Sequence, residues 1–176
     1  MKIGFCGTMS VGKTTLVNAL KELPEFKDYK FATERSKYLM ELGIPLNTDS
    51  TLKGQCVFLA ERATELMHEN IITDRTIIDI IAFTKAAKSI NYHDADDFAQ
   101  LASRLISEYD YIFYISPEGV DMEDNGVRET DLEYRALIDV IIQNNITRFR
   151  HKFKNYAVIQ GSTEERIKAV KEALSL

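Results

Sequence analysis

Short apolar runs alternate along the chain with stretches in which apolar residues recur three and four positions apart. The runs predict strands at about 3–6, 29–33, 70–74, 111–115 and 156–160. The helical repeats predict helices at about 13–23, 36–42, 50–68, 77–87, 95–107, 132–153 and from 163 onward. Strands that alternate with helices are typical of a parallel sheet covered on both faces. Ligands bind such sheets at the C-terminal strand ends, so the residues that follow each strand are the first candidates for a site.

The 176 residues are the length of one domain, and they contain no repeat, low-complexity tract or linker. We therefore predict one three-layer α/β domain over 1–176. No apolar run approaches the length of a membrane span, and the chain begins in a strand rather than a signal-type segment, so we expect a cytoplasmic protein without membrane contact. The apolar helix from Ile77 to Phe83 would be buried within the monomer, which is favoured, or against a second copy in a homodimer.

The loop between the first strand and the first helix, Gly7–Thr14, matches G-x-x-x-x-G-K-[ST] at every fixed position. The glycines let the backbone wrap around an oligophosphate, so that N–H groups and a helix N-terminus point at its oxygens. Lys13 would bridge the β- and γ-phosphates, and the Thr14 hydroxyl would bind Mg²⁺. The residues of this phosphate loop and its helix predicted to bind the nucleotide are Gly7, Ser10, Val11, Gly12, Lys13, Thr14 and Thr15.

Two carboxylates follow strands that should end at the same edge of the sheet. Asp74 ends the third strand, where it would hold Mg²⁺ together with Thr14 or accept a proton from an attacking hydroxyl. Glu34 follows the second strand and would act as a general base or bind the acceptor directly. Each has a plainer alternative, because acids at these positions also cap helices or stabilise their N-termini.

Arginines would supply the positive charge that phosphoryl transfer needs around the migrating group. Arg128 and Arg135 lie seven residues apart, so they share one face if their helix begins before Arg128. Both fall in an acidic segment at about 117–135, which we predict to be a lid over the site. The alternative is that the two arginines only neutralise the acids around them.

Four further polar residues are candidates for contacts with the acceptor molecule, and for Arg35 and Arg75 contact with phosphate is the alternative. Arg35 directly follows Glu34, and Arg75 directly follows Asp74. Gln55 and Arg62 lie seven residues apart in one predicted helix, so both would face the substrate from the same side. A surface or helix-packing role is an equal alternative for Gln55 and for Arg62.

The net charge of −5 is concentrated in the predicted lid, where seven acids accompany two arginines. The rest of the chain carries acids and bases in equal number. No basic stripe that could follow a nucleic-acid backbone is visible, which disfavours a polymeric acceptor. The two cysteines lack the paired spacing of zinc or redox sites.

Taken together, these residues resemble the nucleoside and nucleotide kinase group of phosphate-loop proteins. The resemblance is strongest to ribosylnicotinamide-kinase-like ATPase/kinase domains, then to deoxynucleoside and thymidylate kinases. It rests on the phosphate loop, on Glu34-Arg35, on Asp74-Arg75-Thr76 and on Gly126-Val127-Arg128 with Arg135. It implies a five-stranded parallel sheet in the order 2-3-1-4-5, and transfer of the γ-phosphoryl group from ATP with Mg²⁺ to a nucleoside or nucleotide hydroxyl.

The same resemblance implies that Gln55 reads a base and that Gly161, Ser162 and Thr163 lie against adenine. Ribosylnicotinamide kinases usually carry a second aspartate shortly after the one that ends the third strand, and Arg75-Thr76 takes that place here. Other hypotheses stay open: a kinase for hydroxymethylated bases in DNA, a phosphate-loop ATPase or switch that acts through a protein partner, and a nucleotide-binding protein without turnover. The guanine-reading sequence Asn-Lys-x-Asp is absent.

Overall fold

The computed structural model describes residues 1–33, 36–119 and 131–176. These residues form five parallel strands in one sheet, in the order β2-β3-β1-β4-β5. The strands are β1 (Lys2–Cys6), β2 (Lys30–Ala32), β3 (Ile71–Asp74), β4 (Tyr111–Ile115) and β5 (Tyr156–Ile159). The predicted fold class and strand order are confirmed.

Helices connect these strands and cover both faces of the sheet. They are α1 (Lys13–Lys21), α2 (Ser36–Glu41), α3 (Leu52–Glu65), α4 (Ile77–Ala86), α5 (Tyr92–Ala102), α6 (Leu132–Phe149) and α7 (Thr163–Leu174). Short 3-10 turns occupy Pro24–Phe26, Asn47–Asp49, Ser103–Glu108 and Arg150–Lys152. Among the described residues, every helix is too short or too polar to cross a lipid bilayer.

Alternate residues of each central strand enter two separate apolar clusters. On one face, Phe5 stacks on Phe113 with ring centroids 5.3 Å apart, beneath α1 and α7. On the other face, Cys6 and Ile112 pack under α4 and α6. The isoleucines of α4 are buried within this second cluster, as the favoured monomer alternative predicted. The described helices therefore cover both faces of the sheet and leave only its edges uncovered.

Several helix boundaries differ from the sequence prediction: α1 ends at Lys21, α3 spans Leu52–Glu65, and α5 ends at Ala102. Helix α5 begins at Tyr92, because the Asn91 side chain accepts a hydrogen bond from the Asp94 amide (3.0 Å) and caps the helix there. The predicted start at residue 95 is therefore wrong. Helix α6 ends at Phe149, and the chain turns through a 3-10 segment before β5.

The C-terminal ends of the strands meet at one edge of the sheet. The register places Phe5 beside Asp74 and Ile115 beside Ile159. The phosphate loop follows β1 at this edge, and Asp74 and Arg75 at the end of β3 line the same pocket as the loop. Glu34, Arg35 and Arg128, with Gly126 and Val127, lie outside the described residues.

Candidate functional site

The phosphate loop needs glycine at both ends of its motif for steric reasons. Gly7 has φ +150°, and a Cβ atom there would lie 2.7 Å from the Ile115 carbonyl oxygen. Gly12 has φ +80° and precedes the first turn of α1. These φ values lie in a region that residues with side chains rarely adopt. The backbone is therefore held in a fixed curve at the N-terminus of α1, which is the geometry that binds anions.

Lys13 lies at the centre of this curve. Its side chain is buried, and its ammonium group donates to the carbonyl oxygens of Gly7 and Thr8, each at 2.7 Å. Phosphate oxygens are stronger acceptors for a cation than backbone carbonyls. The ammonium group is thus placed where it can contact an oligophosphate in the loop.

Thr14 and Asp74 are brought together from α1 and β3, as the sequence predicts. The Thr14 hydroxyl donates to Asp74 Oδ2 at 2.5 Å. Asp74 is 1% exposed, and its Oδ1 atom has no hydrogen-bond partner among the described residues. A hydroxyl beside a buried carboxylate with one uncommitted oxygen is a donor set that suits Mg²⁺. The residues present therefore fit this ion.

The cap of α4 is Thr76 rather than Asp74. The Thr76 side chain accepts from the Ile78 amide (3.1 Å), and Asp79 completes a capping box by accepting from the Thr76 amide at 2.7 Å. Asp74 therefore does not cap α4, which was the alternative role predicted for it. Asp79 also reaches the phosphate loop, because its Oδ1 atom accepts from the Gly7 amide at 3.1 Å.

Gln55 lines a pocket beside the phosphate loop, which we call the Gln55 pocket. It is lined by Ser36, Leu46, Asn47, Ser50, Gln55, Phe58, Arg75, Ile80 and Phe83. Gln55 itself is 3% exposed. The pocket combines the flat apolar rings of Phe58 and Phe83 with side-chain amides, among them that of Gln55, that can both donate and accept hydrogen bonds.

Arg75 lies between the Gln55 pocket and the phosphate loop, and it lines the pockets at both. Its φ is +78°, a conformation that is rare for residues other than glycine. Its guanidinium group stacks over the Phe83 ring, 4.8 Å from the centroid. Gln55 and Arg75, both predicted to contact the acceptor, therefore line one pocket, and Arg75 also lines the pocket at the phosphate loop.

Arg62 takes the helix-packing alternative instead of facing the pocket beside Gln55. One guanidinium nitrogen donates to the Asp74 carbonyl oxygen at 3.1 Å, and another forms an ion pair with Glu65 at 2.5 Å. In this structure Arg62 therefore has the helix-packing role, and contact with a substrate stays a prediction. Its contact supports the backbone that carries Asp74.

Two buried arginines approach the phosphate loop from the C-terminal half of the chain. Arg135 in α6 is 9% exposed, and its Nε and Nη2 atoms have no hydrogen-bond partner within the part of the chain that the structure describes. Its carbonyl accepts from the Thr8 hydroxyl at 2.9 Å, which fixes the start of α6 against the loop. A buried guanidinium with uncommitted donors is suited to an anion.

The second of these, Arg166 in α7, was missed by the sequence reasoning. Its Nη1 atom donates to the Val11 carbonyl oxygen at 2.6 Å, and burial lowers the pKa of the guanidinium group. This hydrogen bond joins α7 directly to the phosphate loop. No local pattern around residue 166 signals this contact.

Gly161, Ser162 and Thr163 form the start of α7 at the same edge of the sheet. Gly161 has φ +90°, and Ser162 forms a capping box with Glu165, whose carboxylate accepts from the Ser162 amide at 2.7 Å. Helix capping is thus one role of this segment. Contact with adenine stays a prediction.

Comparison with known proteins places the chain among phosphate-loop proteins. A family model described as an AAA domain matches residues 2–166. No curated protein matches the sequence at a significant level. The fold is similar to that of deoxyadenosine kinase from M. mycoides, with a TM-score of 0.71 and 18% sequence identity over 99% of both chains.

Two further solved structures show the same fold. A NadR protein in complex with NR has a TM-score of 0.76 and 18% identity over 99% of this chain, which spans only 52% of the NadR chain. Thymidylate kinase from Ehrlichia chaffeensis has a TM-score of 0.63 and 16% identity over 98% of this chain and 97% of that one. At such identities the likeness shows the fold, and it confirms the predicted resemblance to phosphate-loop kinases at that level.

Proposed function

The chain belongs to the AAA domain family, and we propose that it is a kinase that transfers the γ-phosphoryl group of ATP to a hydroxyl of a nucleoside or nucleotide. The observation that carries this proposal is the position of Arg75, which lines both the phosphate-loop pocket and the Gln55 pocket. A cation shared by two adjoining pockets is suited to a group that passes from one to the other. The solved kinases with the same fold support this reaction class.

In the nucleotide half, the loop amides and Lys13 would bind the triphosphate of ATP. Lys13 would exchange the carbonyl oxygens of Gly7 and Thr8 for phosphate oxygens. Thr14 and Asp74 would hold Mg²⁺, which neutralises charge on the β- and γ-phosphates. Arg128 and Arg135 are proposed to approach the migrating group, and the buried donors of Arg135 support this role.

In the acceptor half, the Gln55 pocket would bind a base. Phe58, Ile80 and Phe83 offer apolar contact for a flat ring, and the Gln55 amide offers a donor and an acceptor for its edge. The acceptor hydroxyl would then face Arg75 and the phosphate loop. Either Glu34, which follows β2, or Asp74 would accept the proton that this hydroxyl loses.

Steady-state kinetics with a panel of acceptors test the proposal. ADP formation from ATP and Mg²⁺ is measured alone and with nucleosides, nucleoside monophosphates, ribosylnicotinamide or hydroxymethyluracil-containing DNA. We expect one class of acceptor to stimulate ADP formation. ADP formation that no acceptor changes would instead support an ATPase or a switch that acts through a protein partner.

A Gln55→Leu variant locates the acceptor in the same assay. Leucine keeps a similar volume but loses the amide, so the KM for the acceptor should rise about tenfold, the effect of one lost hydrogen bond. The KM for ATP should stay the same. An increase in the KM for ATP alone would mean that this pocket does not bind the acceptor.

A further inference from the structure

Asp79 is a fully buried carboxylate in the first turn of α4 that lines neither the phosphate-loop pocket nor the Gln55 pocket. Each of its oxygens is bonded to a different segment of the chain. Oδ1 accepts from the Gly7 amide at 3.1 Å. Oδ2 accepts from the Thr76 amide at 2.7 Å and from the Thr76 hydroxyl at 2.9 Å. One side chain therefore joins the phosphate loop to the start of α4.

The two amides that Asp79 binds belong to the peptides that set the geometry of each half of the site. Gly7 opens the phosphate loop, and its carbonyl accepts from the Lys13 ammonium group at 2.7 Å. The Thr76 amide belongs to the peptide that directly follows Arg75. Fixing Gly7 thus also fixes an acceptor of the Lys13 ammonium group. Fixing Thr76 orients the backbone of Arg75.

Arg75 needs this restraint because its φ of +78° is rarely adopted by residues with side chains. Its own amide donates to the Phe5 carbonyl oxygen at 3.0 Å, which fixes the peptide on its N-terminal side. The bond from Thr76 to Asp79 fixes the peptide on its C-terminal side. Both peptides that flank Arg75 are therefore held, one by β1 and the other by Asp79.

We propose that Asp79 is a positioning residue that holds the phosphate loop and Arg75 in one fixed relative geometry and thereby aligns the two halves of the site. This inference rests on the proposed kinase function, since it concerns how the γ-phosphoryl group of ATP and the acceptor hydroxyl are brought into line. Alignment of reacting groups contributes to turnover more than to the binding of either substrate alone.

The chemistry of the carboxylate allows a sharp test by Asp79→Asn. An amide has the same shape, but only its oxygen accepts hydrogen bonds, whereas its nitrogen only donates. If the amide oxygen faces Gly7, the NH₂ group opposes the Thr76 amide; if it faces Thr76, the NH₂ group opposes Gly7. Either orientation breaks one of the two links.

The matched control is Asn91→Ala, which removes the cap of α5, a helix that lines neither pocket. Both variants should have lower melting temperatures than the wild type because each loses a helix-capping contact. Only Asp79→Asn should lower kcat, by about 10- to 100-fold, with the KM for ATP changed less than about threefold, because misplaced reactive groups cost turnover. Asn91→Ala should keep the wild-type kcat at temperatures below its melting point.

Amide hydrogen exchange measured by NMR provides a readout that does not depend on activity. In Asp79→Asn, the amide of Gly7 or of Thr76 should exchange at least about tenfold faster than in the wild type, since it has lost its acceptor. In Asn91→Ala, both amides should exchange at wild-type rates.

Two results would overturn the inference. One is an Asp79→Asn protein whose kcat matches that of Asn91→Ala; Asp79 would then be a helix cap and nothing more. The other is unchanged exchange at both Gly7 and Thr76. If the wild type transfers no phosphoryl group to any acceptor, the proposed function fails, and the exchange rates alone decide whether Asp79 joins the two segments.

Discussion

Asp74 shows how much of this site depends on single side chains. Its Oδ2 atom accepts the Thr14 hydroxyl, and its buried Oδ1 atom has no partner among the described residues. In Asp74→Asn the amide oxygen can still accept from Thr14, so we expect the fold to persist. The variant loses the negative charge that would hold Mg²⁺, so kcat should fall by about 10- to 100-fold.

Titration of the proposed kinase activity with Mg²⁺ checks this prediction. The wild type should saturate at a lower Mg²⁺ concentration than Asp74→Asn, and circular dichroism should show the same helix content for both. An Asp74→Asn enzyme with wild-type turnover and wild-type Mg²⁺ dependence would remove Asp74 from the proposed metal site.

Residues of the phosphate loop could be predicted from the sequence because their chemistry is local. The glycines, the lysine and the threonine of the motif stand within eight positions, so their spacing alone indicates what they bind. Asp79 and Arg166 could not be found in this way. Asp79 contacts a residue 72 positions away, and Arg166 contacts one 155 positions away. Only the fold brings such partners together.

At the scale of elements, α7 supports the phosphate loop through Arg166. The loop carbonyl of Val11 accepts from its guanidinium group at 2.6 Å in a buried position. Arg166→Met should weaken ATP binding about tenfold, because a charge-assisted hydrogen bond that fixes the loop is lost. Calorimetric titration with ATP measures this affinity.

Lys168→Met is the control on the same helix. The Lys168 side chain is 78% exposed and lies 3.8 Å from Glu172, so its loss should leave ATP affinity unchanged. Equal affinities for ATP in Arg166→Met and in the wild type would show that α7 does not support the loop.

The existence and order of the elements could be predicted more reliably than their ends. The α5 start could not be predicted from the polar residues Asn91, His93 and Asp94, because such residues are typical of loops as well as of helix caps. The Asn91 cap places residues 92–94 in the first turn of the helix. The Thr76–Asp79 capping box could have been recognised from its spacing. Its contact with Gly7 could not, since it depends on the pairing of β1 with β3.

For the molecule as a whole, Asp110 joins the N-terminal ends of three strands, at the edge opposite the site. Its carboxylate accepts from the Lys2 amide and from the Lys154 ammonium group, each at 2.8 Å. Burial acts to raise the pKa of Asp110, but the hydrogen bonds from Lys154 and Lys2 outweigh it and hold the pKa below its usual value.

A pH dependence of stability follows from this lowered pKa. The contribution of Asp110 to the free energy of unfolding is complete above the unfolded pKa, near 3.8, and is lost as the pH falls through the lower folded pKa. Asp110→Asn should therefore be less stable than the wild type at pH 7, and the difference should shrink as the pH falls through that range. Urea unfolding at several pH values measures it, and a difference that grows toward acid would contradict the assigned shift.

Two kinds of evidence predict the overall topology: the periodicity predicts the type of sheet, and the family resemblance predicts the order of its strands. The alternation of strands and helices indicates a parallel sheet, but the order 2-3-1-4-5 came from the resemblance to phosphate-loop kinases, since periodicity does not specify which strands are neighbours. The identity of the acceptor could not be predicted, because the Gln55 pocket, where we propose that it binds, is assembled from α2, α3 and α4 and the turns between them.

The most direct test of the proposed reaction is the fate of the γ-phosphoryl group of ATP. The protein is incubated with Mg²⁺, γ-labelled ATP and each acceptor of the panel, and the labelled product is identified by chromatography. We expect the label on a hydroxyl of one nucleoside or nucleotide, and no labelled product with Lys13→Ala. Label that is recovered only as inorganic phosphate, whatever acceptor is supplied, would contradict a kinase.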